Sequence, residues 1–397
     1  MKTIDFNDPA FLGDPYPVYR QLRESGGPYW LAQKQPIKSR GIWLFSRHDE
    51  VVDILKLEPP LSKQISRVRA SGETSPLDIS MLQQDPPEHT RLRNLVKQAF
   101  TPGQVQALEP RIGQITDELI TRIAGRGTGD FIADIASPLP FMVLAVLLGV
   151  PFEDYDRFYH WITNILIGFD SFTANRESLN RQKQSMQEFI NYFNRLIVQR
   201  RQQPRDDLIS TLVEVRDQHD KLNTDELLGM CVLFLVAGYE TTVNLFGTGL
   251  YTLLRHPEHL ELLKQHPENL PAAIEEMLRF ESPLQRSTFR ITTEACEVGG
   301  KHLQEGEQVC ALIGAANRDP DQFPEPDTFD ISRTPNRHLA FGAGIHTCLG
   351  AALARTEARI AFARILERLP NIRLASQQPE WNKTTFFRGF RCLPVCY

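Results

Sequence analysis

The most apolar stretch of the chain runs from Leu227 to Gly238 in "LLGMCVLFLVAGYETTVNLFG" and ends in Tyr239, Glu240, Thr241 and Thr242. Apolar residues then return at Val243, Leu245 and Phe246. Asn223, with Glu226 at the third position, forms a capping pair, and nothing breaks the helix before "RHPEH" at 255. The uninterrupted run is shorter than the about 20 apolar residues that span a bilayer, so it predicts a buried core helix. An acid and two hydroxyls in the middle of such a helix need a reason.

The rest of the pattern is mostly helical. "GIWLFS" (41–46) alternates and is rich in aromatics, as a strand is. "SRHDEVVDILK" follows as a helix with Ser46 as the expected N-cap. Residues 62–85 are polar without a period and predict a long loop, of the kind that is usually functional or disordered. Pro86 and Pro87 open the helix "EHTRLRNLVKQAF", which stops at "TPG". Between 103 and 220 helical patterns succeed one another, separated by "GRGTGD", "GVPFED" and "QQPRDD". "PENLPAAIEEMLRFESP" predicts a further helix, and 287–312 predicts short strands with a hairpin turn at Gly299-Gly300. Irregular chain fills 317–340, a last helix covers about 350 to 368, and short strand-like pieces end the chain. Without repeat, low-complexity tract or linker, the pattern predicts one domain over residues 1–397, mainly α with small β-sheets.

Charge and cysteines narrow the class. The 44 basic and 49 acidic residues leave a net charge of -5 with no polybasic block, so neither nucleic acid nor a membrane is an expected partner. The N-terminal "MKTIDFNDPAFLGDPYPVYRQLRE" has charges and prolines where a signal peptide needs apolar residues. The cysteines (231, 296, 310, 348, 392, 396) are scattered without a CxxC pair, which argues against a disulfide framework or a structural zinc site. A soluble, cytoplasmic protein with mostly inert thiols is expected.

One cysteine is set apart by its surroundings. In "HLAFGAGIHTCLGAALARTEARIAF" (338–362), Cys348 ends a glycine-containing loop directly before a helix. Free backbone N–H groups and positive potential at a helix N-terminus favour a thiolate, which is a good soft metal ligand. The pattern F-G-x-G-x-H-x-C-L-G resembles, position for position, the haem-binding loop of the cytochromes P450. The resemblance covers essentially the whole chain. "DPYPVYRQLRE" is similar to the family's N-terminal helix, and "PPEHTRLRNLVKQAFTP" to its C helix. "AGYETT" resembles its oxygen-activating stretch and "EEMLR" its E-x-x-R. "ANRDP" and "FDISR" resemble the soluble bacterial branch, whose electrons come from outside.

The resemblance implies the P450 fold, with haem b (iron protoporphyrin IX) between a long distal helix and a proximal cysteine loop and helix. Cys348 would ligate the iron, its electron donation favouring O–O cleavage. Phe341 would pack near the sulfur, Gly342 and Gly344 would let the backbone approach the ring, and amides after Cys348 would bond the sulfur. Ala237 would touch the haem, with Gly238 where bulk would block oxygen. Glu240 and Thr241 would be the catalytic acid–alcohol pair. Heterolysis of an O–O bond needs protons that a dry pocket cannot supply without such a relay. The competing arrangement puts Glu240 at a helix surface and bonds Thr241 back to a carbonyl of the preceding turn. Position 239 is often His in the family and is Tyr here.

Two buried propionates need partners, and the resemblance implies His89, Arg93, Arg290, His338 and His346 for that role. Glu276, Arg279 and Arg333 would form a buried structural network behind the cysteine loop. The pocket would be lined by the 62–85 loop, helices near 160–190, residues around Ala237 and Thr241, Leu284, Phe289, and Phe386 or Phe387. A lipophilic polyketide, macrolide or fatty acyl substrate of secondary metabolism is implied, with a terpenoid open. Lys63, Arg67 and Arg69 either anchor a carboxylate or carrier phosphate or, the favoured reading, form a solvated basic loop. Electrons would come from a ferredoxin and an NAD(P)H-dependent ferredoxin reductase, docking near Lys97, Arg337, Arg355 and Arg359 of a monomer. A peroxide-driven enzyme commonly lacks the acid–threonine pair, and a non-catalytic haem sensor or carrier needs neither relay nor pocket.

Overall fold

The apolar run becomes the central helix, Thr224–Arg255, in a computed structural model that describes residues 4–32, 41–65, 75–167, 175–217, 222–376 and 379–397. Its capping box is complete: Glu226 N–H donates to Asn223 Oδ1 at 2.9 Å and Asn223 N–H to Glu226 Oε2 at 2.8 Å. The whole helix is long and apolar enough to cross a membrane, yet 72% of its most apolar window is buried inside the protein. It packs on Pro138–Leu148, Leu270–Phe280 and Ala351–Arg368. Each fully buried Leu or Phe in it, such as Phe246 or Leu250, contributes roughly 1.5–3 kcal/mol.

The larger of the small sheets sets one edge of the site. Its strands run in the order Tyr29–Ala32, Gly41–Phe45, Gln308–Ala311, Arg290–Thr292, Leu61–Ser62. Leu61 pairs with Thr292 and Ser62 with Ile291, so the next residues along this antiparallel ladder are Lys63 and Arg290. The glycine pair forms the predicted hairpin between Cys296–Val298 and Lys301–Leu303, with φ of 55° and 73° at Gly299 and Gly300.

The helix after Gly41–Phe45 begins later than the sequence predicts. It spans His48–Lys56 with Arg47, not Ser46, at its N-cap. Glu50 accepts the Arg47 N–H at 3.3 Å, and the distant Asp319 accepts that of His48 at 2.7 Å. In the polar 62–85 stretch, short turns at Pro76–Ile79 and Met81–Gln83 are ordered, the first against the central helix. Arg67 and Arg69 lie outside the described residues.

Candidate active site

The cysteine loop is held by backbone before any cofactor is considered. Gly342 and Gly344 have φ of 71° and 74°, and a Cβ on Gly344 would sit 2.6 Å from the Leu55 carbonyl oxygen. Cys348 N–H donates to the Phe341 carbonyl at 2.9 Å, closing the loop just before the helix Ala351–Arg368. Of the six cysteines, Cys348 alone lines the large cavity. Burial pushes its thiol up, against the Gly350 N–H and the guanidiniums of Arg93 and Arg355. Binding a metal as thiolate would therefore release a proton.

Behind the loop, Glu276 and Arg279 are both fully buried and bonded twice, at 2.7 Å each. Arg333 Nε (3.3 Å), Asn336 Nδ2 (3.0 Å) and Asp330 N–H (3.0 Å) also donate to Glu276. Arg279 in turn donates to the carbonyls of Asn317, Pro326 and Thr328. The E-x-x-R helix thus pins the irregular chain that leads into the cysteine loop.

The cavity, about 300 Å³, lies between the central helix and this loop. One end collects Lys63, His89, Arg93, Arg290 and His346. The His89 and His346 rings are 4.2 Å apart, and both nitrogens of the buried His89 lack a partner. Arg93 donates to the Thr347 carbonyl at 2.8 Å. Arg290 donates to Glu58 at 2.6 Å and to the Leu55 carbonyl at 3.0 Å, while its Nε has no partner. His346 Nε2 lies 3.3 Å from Glu58 without hydrogen-bond geometry. Burial lowers both histidines, His346 to about 4. Buried donors without acceptors are what two propionate groups would satisfy, so this end fits haem.

His338 does not join them. Its Nε2 faces Glu275 at 3.1 Å, its Nδ1 accepts the Ala340 N–H, and it does not line the cavity. Glu275 is itself gripped by Arg355, with two bonds of 2.7 Å, and the Arg355 guanidinium lies 4.3 Å from the Phe341 ring centre. Arg355 therefore braces the cysteine loop. Arg359 is paired with Glu109 at 2.8 Å, and Lys97 Nζ donates to Asn94.

On the opposite wall Ala237 is open to the cavity, and Thr241 and Thr242 line it. Thr241 Oγ1 donates to the Ala237 carbonyl at 2.7 Å, and Thr242 Oγ1 to that of Gly238 at 2.9 Å. A Cβ on Gly238 would meet Leu144 at 3.1 Å, so helix packing also limits bulk there. Glu240 does not line the cavity. Its Oε1 takes weak bonds from Asn244 (3.3 Å) and Asn382 (3.5 Å), and burial raises its carboxyl to about 7. Acid and alcohol are thus adjacent in sequence but not bonded. Tyr239 turns to a hydroxyl cluster, with its OH 2.5 Å from Ser137 Oγ, itself 2.7 Å from Tyr155 OH.

Two buried groups add to the predicted set. Glu357 lines the cavity with one carboxyl oxygen unpartnered, and burial raises it well above the carboxylate range. Its only sequence signal is a four-residue spacing with buried Leu353 and Ala361. Lys63 is buried rather than solvated. The apolar wall includes Leu77, Leu233, Phe234, Leu284, Phe386 and Phe387. Phe289 packs instead in the N-terminal cluster, and among the described residues the helices near 160–190 do not reach the cavity.

A lone cavity-facing cysteine, a cationic end and a hydroxyl-bearing helix opposite define a haem-thiolate protein. The family model for cytochrome P450 matches residues 13–390, and the chain belongs to that family. It is a P450 monooxygenase and binds haem b, which P450s hold through a cysteine thiolate. It is 41% identical to cytochrome P450 107B1 of Saccharopolyspora erythraea, covering 98% of this chain and 96% of the relative. It is 42% identical to the myxobacterial cytochrome P450 CYP267B1 solved with myristic acid, with a TM-score of 0.92 and coverage of 99% and 98%. P450BioI, solved with hexadec-9Z-enoic acid ligated acyl carrier protein, is 36% identical with a TM-score of 0.91, covering 98% and 100%.

Proposed function

We propose that this monooxygenase hydroxylates a lipophilic acyl chain, using two electrons from an external ferredoxin and two protons per turnover, with one oxygen atom of O2 entering the product and the other leaving as water. The observation that carries the substrate class is the cavity lining, where Leu77, Leu233, Phe234, Leu284, Phe386 and Phe387 share the cavity with the cationic end. Such a wall binds a flexible apolar chain through burial and leaves few polar groups to fix its orientation. The lipid ligands of CYP267B1 and P450BioI support the same reading.

Bound haem supplies dioxygen activation and oxygen transfer. In this reading Cys348 is its thiolate ligand, and His89, Arg93, Arg290 and His346 hold its propionates, with Phe341, Gly342 and Ala237 against the ring. The Thr241 hydroxyl orients a proton donor at the cavity wall, and its back-bond to Ala237 keeps the oxygen at a fixed position. Glu240, with its carboxyl raised to about 7, is poised to exchange protons near neutral pH from the side of Asn244 and Asn382. The electron donor docks on the cysteine-loop face of the cytoplasmic enzyme, where Arg337 is exposed.

The test begins with the carbon monoxide difference spectrum of the dithionite-reduced protein, in which the red-shifted Soret band of thiolate ligation is expected. Myristic acid should then shift the ferric spin state and be hydroxylated with a ferredoxin system. A spin shift with macrolides or terpenoids, and none with C12–C18 acids, would overturn the acyl assignment. Turnover with hydrogen peroxide alone, at a rate equal to that with the ferredoxin system, would overturn the electron route.

A further inference from the structure

The sequence places Lys63 in a polar loop, whereas the fold buries it at the end of the cavity shared with Arg290, His89 and His346. Its backbone is pinned: the Lys63 N–H donates to Asp85 Oδ1 at 2.8 Å, and Asp85 also takes the Ser62 hydroxyl at 2.5 Å. Its ammonium donates to Thr288 Oγ1, two residues before Arg290. The strand pairing of Ser62 with Ile291 sets Lys63 beside Arg290.

Among the described residues, this arrangement lacks an anion on the cavity side. Lys63, Arg93 and Arg290 all line the cavity at this end, but neither Glu58 nor Asp85 does. Glu58 is engaged by Arg290, and Asp85 by Ser62 and the Lys63 backbone. A neutral threonine oxygen is a poor match for a buried ammonium with three donors. Burial, and then the neighbouring Arg290 charge, push the Lys63 amine down to about 7, as expected of a cation awaiting a counter-charge.

We propose that Lys63 is a haem-propionate ligand, positioned by Thr288 so that its ammonium and Arg290 hold carboxylate from the same side. Lys63 shares this end with His89, Arg93, Arg290 and His346, the residues assigned above to the propionates, so the carboxylate served is the cofactor's rather than a substrate's.

The test uses haem-loaded protein with Lys63→Met and Lys63→Arg. Haem transfer to excess apomyoglobin and the haem reduction potential are measured, together with long-chain fatty-acid binding. A charge-assisted bond of this kind predicts haem loss at least about tenfold faster in Lys63→Met. The potential should become more negative, because a nearby positive charge favours the reduced state. Lys63→Arg should restore both toward the parent. If Lys63→Met does not accumulate folded, Lys63→Gln takes its place with the same expectation. An unchanged transfer rate and potential would overturn the proposal. If fatty-acid affinity fell at the same time, Lys63 would serve a substrate carboxylate instead. A lower unfolding midpoint with unchanged haem transfer would reduce the lysine to a packing role. Haem transfer and the reduction potential do not depend on which substrate is hydroxylated.

Discussion

Two glutamates on touching helices, Glu276 on Leu270–Phe280 and Glu357 on Ala351–Arg368, are both buried, at 0% and 3% exposure. Their surroundings are opposite. Glu276 accepts from two arginines, an asparagine and a backbone N–H, and forms an ion pair with Arg279. Glu357 leaves an oxygen without a partner at the cavity wall, and burial holds it protonated well above the carboxylate range. A buried acid that is fully engaged fixes chain in place, while one left unengaged beside a cavity is kept neutral and free to meet a ligand or water. The same contrast separates the chain behind the cysteine loop from the cavity lining, where His89, His346 and Arg290 also have unmatched nitrogens.

Breaking the engaged acid should have the largest effect. Glu276→Ala leaves Arg279 buried without its partner, which typically costs about 3–5 kcal/mol, measurable by urea denaturation. Glu357→Gln, which replaces one neutral group by another, should cost less than about 1 kcal/mol in the same assay. The pH dependence sharpens this. Because the folded carboxyl of Glu357 is raised above 4.5, the native state keeps a proton that the unfolded chain sheds. Parent stability should therefore fall as pH rises from about 4.5, and the Glu357→Gln variant should lack that part of the slope. A Glu276→Ala loss no greater than that of Glu357→Gln would break the comparison.

Next in size is Gly344→Ala. The new Cβ meets the Leu55 carbonyl in a backbone conformation disfavoured for alanine, so a loss of about 1–3 kcal/mol and a lower haem content per protein are expected. The smallest effect concerns Glu240. Its folded carboxyl, raised to about 7, should give product formation an inflection near that pH, and Glu240→Gln should abolish it. The stability slope between 4.5 and about 7, downward with rising pH, should flatten in the same variant. A parent profile without that inflection would remove Glu240 from proton delivery.

Much of this was legible along the chain. The central helix, its capping box, the Gly299-Gly300 hairpin, the irregular 317–340 stretch and the buried Glu276–Arg279–Arg333 network lie where the pattern or the resemblance put them. What was misplaced depended on partners far away in sequence. The start of His48–Lys56 is shifted by Asp319, His338 is drawn to Glu275, and Phe289 joins a cluster with Phe6 and Tyr19. Glu357 was missed because an acid on a helix reads as a surface residue until the packing on either side is known.

The sequence by itself determined the apolar periods, the caps, the glycines and the cysteine, because these act through neighbours within a few residues and need no knowledge of the rest. It therefore carried the family and the thiolate loop. Only the tertiary structure decided which charges are matched. Lys63 and Arg290 come together through strand pairing across more than 200 positions, and Thr241 and Glu240, adjacent in the chain, point into different surroundings. The energy of a buried charge depends on what lies within a few ångströms in space, and that is a property of the packed fold.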